Sequence, residues 1–238
     1  MFGVPRSINI LNKINSFRSK DNNRNKYRVI ITPPYTLLES FAKHLRNKRI
    51  MIGSQNCYQK DKFSSNTGAV SPYMIKNLGA KYTLVGHSDN RAEGDTDLML
   101  KTKVQLALKN NLKVVFCIGE NEFQKKNKKT FSVLKKQLSK VLEKKLNKNN
   151  IIVAYEPIWS IGTGKIPNQK DLLKTTTYIK KVLKKIFRMN SPAVLYGGSV
   201  DGNNIDMFRQ IKEIDGFLIG GASKSSKKFI DIIKNYYR

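Results

Sequence analysis

Short apolar runs alternate with amphipathic stretches along the 238-residue chain. The apolar runs are rich in β-branched residues and too short for helices, so each predicts a strand buried on both faces. Seven strands are predicted, at residues 28–32, 49–55, 82–86, 113–118, 151–155, 193–197 and 216–219. Helices are predicted between them, for example at residues 36–47, 72–78, 98–110 and 171–189. This alternation indicates an α/β fold with a parallel sheet covered by helices.

The residues that follow the strands favour a closed barrel over an open doubly wound sheet. No linker or change of composition divides the chain, so a single domain over residues 1–238 is predicted. No G-x-G-x-x-G motif follows an early strand, which argues against a dinucleotide-binding sheet. Polar or glycine residues follow nearly every strand, namely Gln55, Asn56, His87, Glu120, Glu156, Gly197, Gly198, Ser199, Gly220 and Gly221. In a barrel these strand ends gather on the face that holds the active site.

The segment YEPIWSIGTGK joins a carboxylate to a glycine loop. Glu156 lies at the end of the strand predicted at residues 151–155, and Pro157 takes the chain out of regular pairing. Gly162 and Gly164 permit backbone conformations that other residues resist, so the loop can move or approach a ligand closely. Alone, such a segment is also typical of an ordinary turn between a strand and a helix.

The charge of the chain leaves two interpretations open. There are 45 lysines and arginines against 17 aspartates and glutamates, a formal net charge of +28. Such an excess suits a nucleic-acid surface, but no aromatic-interleaved RNA motif, zinc-finger spacing or recognition helix accompanies it. In the stretch 128–146 the lysines lie opposite a helical stripe of apolar residues, formed by Phe131, Leu134, Leu138, Val141, Leu142 and Leu146. We therefore favour solvated helix faces and a general compositional bias over nucleic-acid binding.

Composition also indicates the setting in which the chain works. Cys57 and Cys117 are the two cysteines, too few for a disulfide framework or a metal cluster. No apolar run approaches the ~20 residues of a membrane span, and the N-terminus lacks the apolar stretch of a secretory signal. A reducing, cytoplasmic setting is expected.

Four segments together resemble one known family. V-G-H-S contains His87, and A-Y-E-P-I-W-x-I-G-T-G-K contains Glu156. Y-G-G-S-V and G-G-A-S end the last two strands in glycine turns, which is typical of phosphate binding by the final loops of a barrel. With these motifs in this order, the chain closely resembles the triosephosphate isomerase family from its first residues to about Ala222.

The resemblance implies a (β/α)8 TIM barrel that interconverts dihydroxyacetone phosphate and D-glyceraldehyde 3-phosphate in glycolysis and gluconeogenesis, with no cofactor and no metal. This family is the standard example of a Glu base paired with a neutral His, and these roles would fall to Glu156 and to His87, at a helix that begins at Ser88. The substrate phosphate would be bound by Gly162, Ser199, Gly220 and Gly221. A mobile lid would be formed by Trp159, Ser160, Ile161, Gly162, Thr163, Gly164 and Lys165. Cys117 is interpreted as core packing with a minor role in shaping the site.

The resemblance also implies a homodimer. Gln55, Asn56, Thr67 and Gly68 match the long loop that reaches a second subunit in the family, where Thr67 would support the neighbouring active site. The family's usual Thr-Gly-Glu is Thr-Gly-Ala here, and its His-Ser-Glu-Arg-Arg is His-Ser-Asp-Asn-Arg. Both partners of an ion pair across the interface are therefore lost together, which leaves no buried charge unpaired.

The N-terminus departs from the family. Ile10, Ile14 and Phe17 recur at helical spacing after a possible cap at Ser7, so Lys13 is expected on a helix. The family's first strand, with its Asn-x-Lys-Met motif, has no counterpart in the sequence. Because a barrel set for eight strands does not close with seven, the natural protein is expected to begin roughly ten residues upstream of Met1. Asp89, in place of a Glu that orients the missing lysine, puts that role in doubt.

A second hypothesis stays open. A barrel that has lost most of its catalysis could survive as a basic protein that binds anions or nucleic acid. The retained Glu156 and His87 favour the enzyme.

Overall fold

The computed structural model describes residues 3–45 and 49–238, in which seven parallel strands form one sheet. The strands are β1 Val29–Ile31, β2 Ile50–Ser54, β3 Tyr82–Val85, β4 Lys113–Ile118, β5 Ile151–Tyr155, β6 Ala193–Tyr196 and β7 Gly216–Phe217. They lie in chain order, so β1 and β7 are the two edges among the described residues. The predicted number and parallel arrangement of strands are confirmed.

Interior strands match their predicted bounds better than the others. β4 and β5 begin and end where the sequence predicted, and they pair over five residues from Val114 with Ile151 to Ile118 with Tyr155. The strand predicted at residues 216–219 is only two residues long, and β7 pairs with β6 at two positions. The remaining strands are shorter than predicted by one residue at one or both ends.

Helices cover the sheet. They are α1 Ile8–Lys20, α2 Tyr35–His44, α3 Pro72–Asn77, α4 Ser88–Ala92, α5 Asp97–Lys109, α6 Glu122–Lys126, α7 Thr130–Val141, α8 Gln169–Ile186 and α9 Ser226–Tyr236. Side-chain oxygens of Ser71, Thr96 and Asn168 accept backbone N–H bonds at the starts of α3, α5 and α8. The helix predicted at residues 36–47 ends at His44, and its last predicted residue, Asn47, lies outside the described residues. α8 begins two residues before the helix predicted at residues 171–189 and ends three residues before it.

The N-terminal segment is a helix, as predicted. Leu11 and Ile14 are buried on α1, and Lys13 lies on this helix. Ser7 is the residue before α1, as predicted, but its hydroxyl accepts the N–H of Val4 and makes no bond to the helix.

Two apolar layers explain why the strands have near-continuous apolar sequences. Alternate residues of β4, including Val114, Phe116 and Ile118, belong to the large cluster shared with the helices. Val115 and Cys117 point to the opposite side and pack in a smaller cluster with Tyr82, Leu84 and Ala154. Both faces of the sheet are therefore buried, as in parallel sheets generally.

The helix faces explain the scattered lysines. On α7, Leu134, Leu138 and Val141 are buried while Lys135, Lys136 and Lys140 are exposed. This helix ends at Val141, so Leu142 and Leu146 continue the apolar contact from an irregular segment. Among the described residues, no helix is long and apolar enough to cross a membrane.

Candidate active site

The predicted site residues follow the carboxyl ends of neighbouring strands. His87 comes after β3, Glu156 directly after β5, Ser199 after β6 and Gly220 after β7. Because all seven strands are parallel, these residues lie at the same end of the sheet.

Glu156 is a buried carboxylate. Its backbone N–H continues the β4–β5 ladder by donating to the carbonyl of Ile118 at 2.8 Å. The residue is 5% exposed, and its Oε2 atom is buried without a hydrogen-bond partner among the described residues. Burial raises the pKa of Glu156 above its ordinary value of 4.5, against smaller opposing effects that include His87. The carboxylate is therefore a stronger base than an exposed one.

Two glycines make room for Glu156. A Cβ atom at Gly197 would lie 2.6 Å from Glu156 Cγ, and one at Gly119 would lie 1.8 Å from the Glu156 carbonyl oxygen. Neither position can accept a side chain without displacing the carboxylate residue.

His87 lies beside this carboxylate. It precedes α4, and its Nδ1 accepts the backbone N–H of Asp89 at 3.3 Å. A lone pair of Nδ1 that accepts this bond leaves the ring proton on Nε2. Nε2 is 3.6 Å from Glu156 Oε1. The Asp89 carboxylate is 80% exposed, so solvent weakens its effect on the ring.

Arg91 supports the ends of β3 and β4, a role that sequence reasoning missed. Its Nε donates to the Gly86 carbonyl at 2.8 Å, and its Nη2 donates to the Cys117 carbonyl at 3.0 Å. The guanidinium also lies over the Phe116 ring, 5.6 Å from its centroid. An Arg four residues after His87 lies about one helical turn further along, which is a weak local signal. One of its partners, Cys117, is 26 positions away, however. Cys117 packs in the interior as interpreted, and its thiol lowers the pKa of Glu156 against the larger effect of burial.

The predicted lid begins in a short helical turn, Ile158–Ser160. Gly162 and Gly164 have φ angles of +68° and +75°, which favour glycine as predicted. Trp159 Nε1 donates to Glu120 Oε1 at 3.0 Å, and the ammonium of Lys125 lies 3.2 Å from the indole centroid. Burial raises the pKa of Glu120.

The predicted phosphate-binding residues fall into two groups. Ser199 contacts the lid directly, because its Oγ donates to the Ser160 carbonyl at 2.7 Å and accepts the Gly164 N–H at 3.1 Å. Gly162, Gly220 and Gly221 are exposed, and a Cβ atom at any of them would meet nothing within 4 Å. Gly221 begins a short helical turn, Gly221–Lys224.

The predicted dimer loop has an exposed tip. Thr67 and Gly68 form the exposed tip of a turn in which Ala69 N–H donates to the Asn66 carbonyl, with Gly68 at φ +80°. Asn56, at the start of the loop, accepts a bond from Lys103, whose ammonium is buried and paired with Asp95 at 2.7 Å. Sequence reasoning missed this buried pair, because Asp95 precedes α5 and lies eight residues from Lys103, outside the helical spacing of three or four residues.

Comparison with known proteins identifies the family. The family model described as Triosephosphate isomerase matches residues 6–236. The chain belongs to the triosephosphate isomerase family. It is 36% identical over 213 residues to the triosephosphate isomerase of Thermodesulfovibrio yellowstonii, covering 88% of this chain and 86% of the relative. It is 37% identical over 211 residues to that of Debaryomyces hansenii, covering 87% and 84%.

The structural comparison agrees. The crystal structure of triosephosphate isomerase from Bartonella henselae superposes with a TM-score of 0.90 at 30% identity, covering 100% of this chain and 96% of the other. The fold is therefore a TIM barrel, of which the described residues form seven strands, and the chain is an isomerase by family.

Proposed function

We propose that the chain interconverts dihydroxyacetone phosphate and D-glyceraldehyde 3-phosphate, with Glu156 as the base and His87 as the electrophile. One observation carries the proposal: a desolvated carboxylate lies 3.6 Å from Nε2 of an imidazole whose Nδ1 accepts a backbone N–H, which leaves Nε2 as the donor. The family membership of the chain supports the same reaction.

The two groups divide the proton chemistry. The Glu156 carboxylate takes a proton from the carbon next to the substrate carbonyl, and the electron pair moves to form an enediolate. The Nε2–H of His87 donates a hydrogen bond to the oxygen on which negative charge develops. Glu156 then returns the proton to the neighbouring carbon, which completes the exchange of aldehyde and ketone without oxidation or reduction.

The phosphate group of the substrate is bound by backbone N–H groups of Gly162, Gly220 and Gly221, with the hydroxyl of Ser199. Uncharged N–H donors at the start of a helical turn suit a dianion, because the first N–H groups of such a turn have no partner within it. The exposed, side-chain-free backbone at Gly220 and Gly221 supports this role. Residues 159–165 close over the bound triose and keep water from the enediolate.

A coupled assay of glyceraldehyde 3-phosphate isomerisation tests the function directly. The competing hypothesis, a catalytically impaired barrel that binds anions or nucleic acid, draws support from the net charge of +28. A salt-dependent titration with double-stranded DNA in parallel separates the two. Turnover with weak DNA binding supports the isomerase. Tight, steeply salt-dependent binding without turnover supports the alternative.

A homodimer built through the loop at residues 55–68 is the second part of the proposal. Phe63 in this loop is 79% exposed and contacts Tyr73 edge-on, so a large apolar side chain is available to pack against a second subunit. Phe63→Asp is expected to shift sedimentation from dimer to monomer. Phe123→Asp, at a Phe that is 70% exposed on α6, is the matched control and should leave the dimer intact. A wild-type monomer at micromolar concentration would contradict this part.

The proposal includes the cellular location and the domain organisation of the chain. Cys57 and Cys117 are buried and unpaired, which supports a reducing, cytoplasmic location. A single barrel domain over residues 1–238 is part of the same proposal.

A further inference from the structure

The first turn of the lid contains a serine that is entirely buried. Ser160 is 0% exposed, whereas Gly162, Thr163, Gly164 and Lys165 of the same loop are exposed. Burying a hydroxyl is unfavourable unless it is hydrogen-bonded, so the partners of Ser160 are informative.

The Ser160 hydroxyl uses its full hydrogen-bonding capacity. It donates its one proton to the carbonyl of Lys165 at 2.5 Å. Its oxygen lies 3.2 Å from the Tyr196 hydroxyl and 3.4 Å from the Ser199 backbone N–H. Because a hydroxyl has one donor and two acceptor positions, Tyr196 and Ser199 must both be donors to it. One oxygen thus joins both ends of the lid to the loop after β6.

A glycine allows these groups to meet. A Cβ atom at Gly198 would lie 2.1 Å from the Tyr196 hydroxyl and 2.6 Å from Ser160 Oγ. Ser199 adds two further bonds to the lid, because its hydroxyl donates to the carbonyl of Ser160 and accepts the N–H of Gly164.

We propose that Ser160 is a positioning residue for catalysis, which holds the lid over the substrate through its hydroxyl. Gly162 and Gly164 give the lid backbone a large conformational freedom, and ordering such a backbone is entropically costly. The Ser160 hydroxyl offsets this cost at both ends of the lid at once. The inference rests on the proposed isomerase function, but it concerns a side chain that does not touch the reacting atoms.

The direct test is Ser160→Ala, with Ser132→Ala as the matched control. Ser132 also donates to a backbone carbonyl, that of Lys129, but it is exposed on α7. Trypsin cleavage after Lys165 reports on the lid, because the carbonyl of the cleaved bond is the one that accepts the Ser160 proton. We expect Ser160→Ala to raise the rate of cleavage at this bond by about tenfold, while cleavage elsewhere and the Ser132→Ala variant stay unchanged.

Kinetics supply a second readout. We expect Ser160→Ala to lower kcat/KM for glyceraldehyde 3-phosphate by about tenfold and to raise the share of turnovers that release inorganic phosphate. In that side reaction the enediolate oxygen re-forms a carbonyl, the double bond shifts, and the C–O bond breaks with its electron pair leaving on the phosphate. A general loss of packing would slow isomerisation but would not raise the share of turnovers that release inorganic phosphate.

The outcomes separate cleanly. Unchanged cleavage after Lys165, or an equal increase at every trypsin site, would overturn the proposal. An inactive wild-type chain would reject the isomerase function, while the cleavage measurement would still decide the role of Ser160.

If Ser160→Ala fails to fold, Tyr196→Phe decides, because it removes only the hydroxyl that donates to Ser160 and keeps the ring. It should raise cleavage after Lys165 by a smaller factor. Where both variants fold, the double variant should raise the rate of cleavage after Lys165 by less than the product of the two separate factors, since Ser160 and Tyr196 share one hydrogen bond. A full product of effects would contradict the shared contact.

Discussion

The proton-transfer side of the site and the phosphate side are built differently. His87 and Glu156 follow β3 and β5, interior strands, and β5 pairs with β4 over five residues. Gly220 and Gly221 follow β7, an edge strand that pairs with β6 at only two positions. Glu156 is buried between two glycines that cannot accept a side chain, whereas Gly220 and Gly221 face open space.

This difference follows from the two kinds of chemistry. A carboxylate base works best when it is desolvated and fixed, and small errors of position are costly. A phosphate dianion is bound by several backbone N–H groups, each of which contributes a part and none of which depends on a side chain. Substitutions should therefore be severe on the first side and mild on the second.

Glu156→Gln should have the largest effect. It removes the proton acceptor but keeps the shape, so we expect kcat to fall about 10⁴-fold with the fold intact. The coupled isomerase assay measures the loss, and circular dichroism checks the fold. Glu39→Gln, at an exposed glutamate paired with Lys43, is the control and should keep full activity. Near-normal turnover of Glu156→Gln would rule out this residue as the base.

His87→Gln should rank next. The variant loses the Nε2–H donor aimed at the developing oxyanion, and we expect kcat to fall about 10³-fold. The chain contains two histidines, so His44→Gln on α2 provides a matched control. Equal activities of the two variants would remove His87 from the mechanism.

A pair of glycine substitutions compares the two sides directly. Gly197→Ala would bring a methyl group within 2.6 Å of Glu156 Cγ and push the carboxylate aside, so we expect kcat/KM to fall about 10²-fold. Gly221→Ala meets no atom within 4 Å and keeps the backbone N–H, so its activity should stay within about twofold. Similar losses in both variants would break the contrast between a rigid side and a tolerant one.

The sequence predicted the interior strands better than the edge. β4 and β5 have neighbours on both sides and are buried on both faces, so their apolar runs and their paired lengths coincide. The apolar run at residues 216–219 continues past the end of β7, because pairing at an edge depends on one neighbour only. An apolar run indicates which residues are buried. It indicates which residues pair in the sheet only where the buried and the paired residues are the same.

The sequence also predicted His87 and Glu156 but not the groups that hold them and the lid. Ser160 meets Tyr196 across 36 positions, and Arg91 reaches Cys117 across 26. Such partners depend on how neighbouring strand ends face one another, which no local pattern encodes. Ser160 lay within the predicted lid, yet its burial and its role were not visible in the sequence.

The smallest predicted effect concerns stability and pH. Because burial raises the pKa of Glu156 above its unfolded value, the folded protein binds this proton more tightly than the unfolded chain does. The contribution is fully favourable below the ordinary pKa of 4.5 and is lost as pH rises through the raised folded value. The Glu156→Gln variant has no carboxyl group at this position, so it does not lose this stabilisation. Its free energy of unfolding should therefore increase relative to that of the wild type as pH rises from about 4 to 8.

Urea unfolding of both proteins at several pH values measures this difference, and carboxylates common to the two proteins, such as Glu120, cancel in it. Repeating the pair in a His87→Gln background removes the neighbouring imidazole from the comparison. A difference that is constant with pH in that background would show that Glu156 titrates alike in the folded and unfolded chain. The carboxylate would then be less desolvated than its position between Gly119 and Gly197 implies, and the contrast between the two sides of the site would weaken at its centre.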